Sequence, residues 1–184
     1  MPRIGLLTGP VGVGKTTVAE RVTGLARRQG LICGGLLAPA LKNSCGQKAG
    51  IWGLDLLTGE RRILARTDHD LGGPAIGPYS FDAGALAWAL SAIEAALDAT
   101  QPACDLVVVD EIGKLELWHN TGLVPVIPRL AAGQAPHSLV LVREPLLDEL
   151  LARLANVETI VFSTSLKTRG ELAPQVLRDI FAGK

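Results

Sequence analysis

Gly9, Gly14, Lys15 and Thr16 fall in the spacing G-x-x-x-x-G-K-[ST] within "LLTGPVGVGKTTVAE", residues 6–20. That combination suits one task, holding a polyphosphate. Glycines let a chain bend until successive N–H groups face phosphate oxygens, and a helix opening near Lys15 adds the positive end of its dipole. The whole run of Gly9, Pro10, Val11, Gly12, Val13, Gly14, Lys15, Thr16 and Thr17 is therefore a candidate nucleotide-binding segment. Lys15 is expected to reach the β and γ phosphates, and the Thr16 hydroxyl to ligate Mg²⁺. Thr17 is a candidate for the α-phosphate, or else a polar residue of the first helical turn.

A second set of reactive groups sits about a hundred residues later, in "LVVVDEIGKLEL" at 106–117. Asp110 closes an apolar run, the position from which a carboxylate serves the same Mg²⁺ as Thr16. Glu111 follows directly and is the candidate general base, since a carboxylate there can take a proton from a water in line with the γ-phosphate. An acidic strand end facing solvent is the plainer alternative. Gly113 allows a sharp turn that returns Lys114 toward the phosphates, with Glu116 as its partner, or leaves the two as a solvated Lys–Glu pair. Arg143 follows the run "SLVLV" and is placed to stabilise charge on a transferring phosphoryl group, or to pair with Glu144 or Glu149 on the surface.

These groups need a scaffold, and the chain alternates strand and helix patterns. Residues 3–8 read as a strand, and Val18, Val22, Leu25 and Ala26 repeat at helical spacing until Gly30. "LICGGLLA" (31–38), "AGIWGLDLL" (49–57) and "RRILAR" read as three strands, an antiparallel β-meander over about 31–66. The glycine- and proline-rich stretch 67–80 reads as a surface loop, and Asp82 as the cap of an alanine-rich helix over 83–99. "CDLVVVDE" suits a strand covered on both faces. Helices at about 121–132, 145–155 and 170–181, and strands at 138–142 and in "ETIVF", complete an α/β pattern with a largely parallel sheet. Ligands in such sheets sit at the C-terminal ends of the strands, where both motifs fall.

Composition narrows the partners. With 184 residues the chain suits one domain over 1–184, and 18 basic residues balance 18 acidic ones, so no net field draws it to nucleic acid or to an anionic membrane. Cys33, Cys45 and Cys104 lack metal-ligand spacing and read as reduced, mostly buried thiols of a cytoplasmic protein. No signal-peptide pattern or membrane-length apolar run is expected. "DHD" at 68–70, His119 and His137 read as solvated or isolated groups, and Trp52, Trp88 and Trp118 as core or partly buried anchors. Tyr79 is a candidate lid residue. A monomer is favoured.

"GPVGVGKTT" together with "VVVDEIGKLEL" resembles the THEP1-type nucleoside triphosphatases, whose second motif reads D-E-I-G-K-M-E-L; Leu115 replaces the methionine. The likeness extends to Gly34 and Gly35, to the G-x-Y element at Gly77–Tyr79, to Arg143 and to Arg169. It implies a three-layer P-loop fold and Mg²⁺-dependent hydrolysis of ATP, GTP, CTP or UTP to the diphosphate and phosphate with little choice of base. It also implies Gly9–Thr17 as phosphate-binding residues, Asp110 as metal residue and Glu111 as base. The chain departs from the family at "GGLLAPALKN", where charged residues are common, and at Thr168, where the family has Asn before the arginine. Arg169 is thus a candidate for stacking on a base, or a first-turn surface residue.

Two other classes are compatible with a phosphate-binding loop, a kinase for a small molecule or nucleotide and a nucleotide-binding accessory protein in cofactor assembly. A kinase of this size calls for an arginine-bearing lid and an acceptor pocket, and residues 118–136 offer only Arg129. A guanine-specific switch calls for N-K-x-D, which is missing from the sequence.

Overall fold

The computed structural model describes residues 2–98, 103–133 and 135–182. Ten strands join in one sheet whose first half is parallel. Strand β1 (Ile4–Thr8) lies between β10 (Thr159–Ser163) and β9 (His137–Val142), followed by β8 (Leu106–Ile112) and β2 (Cys33–Leu37), all pointing the same way. The continuous apolar runs in these strands follow from burial on both faces. Leu106 and Val108 point to one side, while Val107 and Val109 point to the other.

Helices cover both sides. Helix α1 (Lys15–Arg28) and helix α6 (Leu172–Phe181) pack on one face through Val18, Val22, Val176 and Ile180. Helices α2 (Ala83–Leu97), α4 (Val126–Ala131) and α5 (Leu147–Arg153) take the other, with Ile93, Leu130 and Leu150 fully buried. Asp82 caps α2 as expected, its side chain accepting from the Ala85 N–H at 2.6 Å. Ala99, the last residue of the helix read from the sequence, lies outside the described residues.

The second half of the sheet is antiparallel and reaches further than the expected meander. Strand β2 pairs parallel with β8 on one side and antiparallel with β4 (Lys48–Asp55) on the other, so it is the seam between the two halves. Beyond β4 come β5 (Arg61–Arg66), β7 (Tyr79–Phe81) and β6 (Ala75–Ile76), while β3 (Ala40–Lys42) also pairs with β4. The stretch 67–80 is thus a loop closed by a hairpin. Its acids hold it together: Asp68 pairs with Arg66 at 2.7 Å, and Asp70 accepts from the Ser80 hydroxyl and the Gly72 N–H, each at 2.9 Å.

Other boundaries move for local reasons. Residues 121–125 form turns, with Gly122 at φ +67° and Pro125 capping α4, so that helix starts at Val126. A 3-10 turn at Glu144–Leu146 precedes α5. Cys33 and Cys104 are buried, and burial pushes the Cys33 thiol up to about 11, whereas Cys45 is exposed. Trp118 is also exposed rather than an anchor, lying in a short helix α3 (Lys114–Leu117) cap. No described helix is long and apolar enough to cross a membrane.

Candidate active site

The parallel strands β1, β8 and β9 all end at one edge, and each delivers its polar groups there. After Thr8 the chain bends through residues 9–14 into α1, whose N-cap is Gly14 at φ +100°. Gly9 has φ +147°, and a Cβ on it would lie 2.5 Å from the Thr164 carbonyl oxygen, so a side chain is excluded by both backbone and space. Lys15 is buried, and its Nζ donates to the carbonyls of Gly9 at 3.0 Å and Pro10 at 3.3 Å. Burial lowers its pKa, while Glu111 and Asp110 act to raise it and Arg143 to lower it. Val13 is buried beneath the loop; Val11, Gly12 and Thr17 are exposed and Thr16 is half-buried.

Strand β8 supplies both acids. Its ladder with β9 is interrupted between Val109 and Ile112, so Asp110 and Glu111 step out of the regular pairing at its end. Asp110 is only 4% exposed, and its Oδ2 accepts the Ala38 N–H at 2.9 Å. Burial pushes its carboxyl up to about 7; the Ala38 N–H, a hydrogen bond from Thr16 and the charge of Lys15 oppose that rise, and Glu111 adds to it. A hydroxyl beside a carboxylate that burial drives toward neutrality is a pair of hard oxygen donors, and a divalent cation would restore the charged form. Among the described residues no three His, Cys, Asp or Glu side chains gather into a metal cluster.

The raised value has a consequence for stability. The folded chain favours the protonated acid, so the contribution of Asp110 is full below its ordinary value of 3.8 and is lost as pH rises through about 7. Asp110→Asn is therefore expected to stabilise the metal-free protein by about 2 kcal/mol at pH 8 and to change little at pH 4. Denaturant unfolding in a chelating buffer at the two pH values measures this.

Glu111 meets Arg143. The arginine follows β9, and its Nε donates to Glu111 Oε1 at 2.7 Å across 32 residues of sequence. Pairing with Glu144 or Glu149 is not what occurs, since Glu149 takes Arg153 at 3.0 Å. Lys15, Asp110, Glu111 and Arg143 thus form one electrostatic cluster.

Lys114 and Glu116 do not pair. Lys114 Nζ sits 4.7 Å from the centre of the Trp118 ring, and Glu116 turns inward. Glu116 Oε2 accepts the Gly113 N–H at 2.8 Å and Oε1 the Leu123 N–H at 3.1 Å, tying the turn after Glu111 to the segment before α4. Burial raises its pKa, and the two N–H groups counter that rise. A Cβ on Gly122 would come within 2.6 Å of Glu116 Oε1, which accounts for the glycine. Glu116→Ala strands two buried donors and should cost about 2–4 kcal/mol in denaturant unfolding. The backbone role was missed because its partners are N–H groups, invisible in side-chain spacing; the one available signal was E three residues after G in "GKLE", a capping arrangement.

Arg169 belongs to the loop after β10 and leans on the phosphate-binding segment: a Cβ on Gly14 would lie 3.3 Å from Arg169 Cδ. Arg21 Nη1 donates to the carbonyls of Arg169 at 3.3 Å and Gly170 at 3.2 Å, fastening that loop to α1. Tyr79 is on β7, where Lys48 Nζ lies 5.1 Å from the centre of its ring, and it lines the same cleft as Asp110, Glu111 and Arg143.

The profile of the NTPase family matches residues 5–177. The chain is 32% identical to the nucleoside-triphosphatase THEP1 of Methanopyrus kandleri over 183 residues, covering 98% of this chain and 96% of that protein. It is 31% identical to the same-named protein of Thermofilum pendens, covering 95% and 93%. Among solved structures, a human cancer-related nucleoside triphosphatase aligns over 99% of both chains with TM-score 0.77 at 23% identity, which speaks to the fold. THEP1 of Aquifex aeolicus aligns over 97% of this chain and 99% of that one with TM-score 0.70 at 19% identity. The chain belongs to the THEP1-type nucleoside-triphosphatase family.

Proposed function

We propose that this chain hydrolyses nucleoside 5′-triphosphates to the diphosphate and orthophosphate, with Mg²⁺ as its metal and little choice among ATP, GTP, CTP and UTP. One domain over residues 1–184, working in the cytoplasm, carries the activity. The observation behind the reading is the convergence of Lys15, Asp110, Glu111 and Arg143 at the ends of β1, β8 and β9.

The residues divide the work. The N–H groups of Gly9–Thr17 and the start of α1 hold the phosphates, and Lys15 places its charge on the β and γ oxygens. Thr16 and Asp110 would hold Mg²⁺, which when bound neutralises charge on the phosphate oxygens. Glu111 takes the proton of the attacking water, and Arg143 both orients Glu111 through the 2.7 Å contact and offers its remaining N–H groups to the transferring phosphoryl. Arg169, packed against Gly14, is beside the loop and is the candidate to stack on the base. Weak base selectivity agrees with the missing N-K-x-D tetrapeptide.

The test is phosphate release from each of the four triphosphates with Mg²⁺ and with a chelator. Release from all four within about an order of magnitude of one another, and only with Mg²⁺, supports the reading. Strong preference for one base, or no release, sinks it.

A further inference from the structure

A cleft of about 200 Å³ opens beside the cluster, between the sheet, α2 and the β6–β7 hairpin. Leu36, Ile51 and Leu64 line it from the sheet, Leu86 from α2 and Tyr79 from the hairpin, so its walls are largely apolar. Asp110, Glu111, Lys114, Glu116 and Arg143 supply the charged part of the lining. No residue of Gly9–Thr17 is in the lining, so the cleft is separate from the phosphate-binding segment and shares the acids with it.

Water needs no such room. An apolar cavity of about 150 Å³ is enough to take up benzene, so this cleft has space for one ring and a short side arm. Ligand sites have this form, an apolar body with a few polar groups converging at one place. A hydroxyl on the ring's arm would be costly to bury among Leu36, Ile51 and Leu64, and the polar part of the lining holds the Glu111–Arg143 pair together with Asp110, Lys114 and Tyr79. Glu111 is also the group that takes the proton from the nucleophile.

We infer that the cleft is a phosphoryl-acceptor site for a compact, neutral alcohol carrying a single aromatic or alicyclic ring. The inference rests on the proposed role of Glu111. The alcohol oxygen attacks the γ-phosphorus, and the bond from that phosphorus to the β,γ-bridging oxygen breaks. The nucleoside diphosphate leaves, and the hydroxyl proton passes to the Glu111 carboxylate; the product is a phosphate monoester. Hydrolysis is the same step with water as acceptor. A nucleotide acceptor fits less well, because base, ribose and phosphate together outsize a cleft of about 200 Å³ whose lining cations are Lys114 and Arg143. Arg129, the one arginine of 118–136, is instead turned to the Glu94 carbonyl at 3.2 Å.

The probes are benzyl alcohol, 2-phenylethanol and cyclohexylmethanol, each added at millimolar concentration to the wild-type protein with ATP and Mg²⁺. Phosphorus NMR separates the monoester from orthophosphate. At least one alcohol is expected to yield monoester far above its mole fraction relative to water. Narrowing the cleft at its half-buried rim by Leu86→Trp or Ile76→Trp should lower the ratio of monoester to orthophosphate by about tenfold or more. That ratio is internal to each sample, so a variant that turns over slowly is still readable. Orthophosphate alone with every alcohol overturns the inference and leaves hydrolysis standing. A ratio unmoved in both tryptophan variants, or an alcohol that slows phosphate release without forming monoester, also overturns it. Absence of both products removes hydrolysis as well.

Discussion

Lys15→Ala is expected to lower kcat/KM for triphosphate hydrolysis by about 10²–10³-fold, the effect of losing one preorganised charge-stabilising group, or about 3–4 kcal/mol. The physical reason is local. Lys15 is buried with its Nζ held by the Gly9 and Pro10 carbonyls, so its charge is fixed at the phosphate-binding segment before any substrate arrives. Without it, Asp110 and Glu111 lose their nearest opposing charge on α1, and a triphosphate would meet acids and a bare loop. Both KM and kcat should suffer. Lys15→Arg should not restore the rate, because a forked guanidinium cannot take the place of a compact ammonium in that confined position. Steady-state kinetics on the two variants and fluorescent-nucleotide binding provide the check; wild-type turnover in Lys15→Ala would remove Lys15 from the chemistry.

Glu111→Gln is expected to separate binding from turnover. The amide keeps the shape of the side chain and an oxygen for Arg143 Nε, so the 2.7 Å contact has a substitute. It cannot accept the nucleophile's proton. Nucleotide affinity should change by no more than a few-fold while kcat falls by about 10²-fold or more. Equal turnover would show that Glu111 is only a strut for Arg143. Loss of binding with unchanged kcat would point to a phosphate-positioning role instead.

The parts of the site that depend on neighbours in sequence were legible before the structure. Gly9, Gly14, Lys15 and Thr16 carry their own geometry, because a glycine bend, a helix start and an ammonium at fixed offsets need little else. Asp110 was similarly readable as the residue that closes a buried apolar run, and the strand continues two residues beyond it to Ile112. The partner of Arg143 was not readable, since it is set by the parallel pairing of β8 and β9 rather than by the glutamates near it in sequence. Glu116 misled for a related reason: a charged residue next to Lys114 suggests a surface pair, whereas both of its carboxylate oxygens go to backbone N–H groups of separate segments. The cleft is assembled from β2, β4, β5 and α2, well away in sequence from residues 118–136, where a lid would lie. Those elements meet only through the antiparallel half of the sheet, and its last strands hide in a stretch rich in glycine and proline.

Hydrolysis in ¹⁸O-labelled water, with Mg²⁺, any triphosphate and no added alcohol, tests most directly that these residues direct water at the γ-phosphorus. The label is expected in orthophosphate and not in the nucleoside diphosphate, with the rate of its appearance falling by about 10²-fold or more in Glu111→Gln. Label in the diphosphate, or orthophosphate formed at the same rate without Glu111, would contradict it.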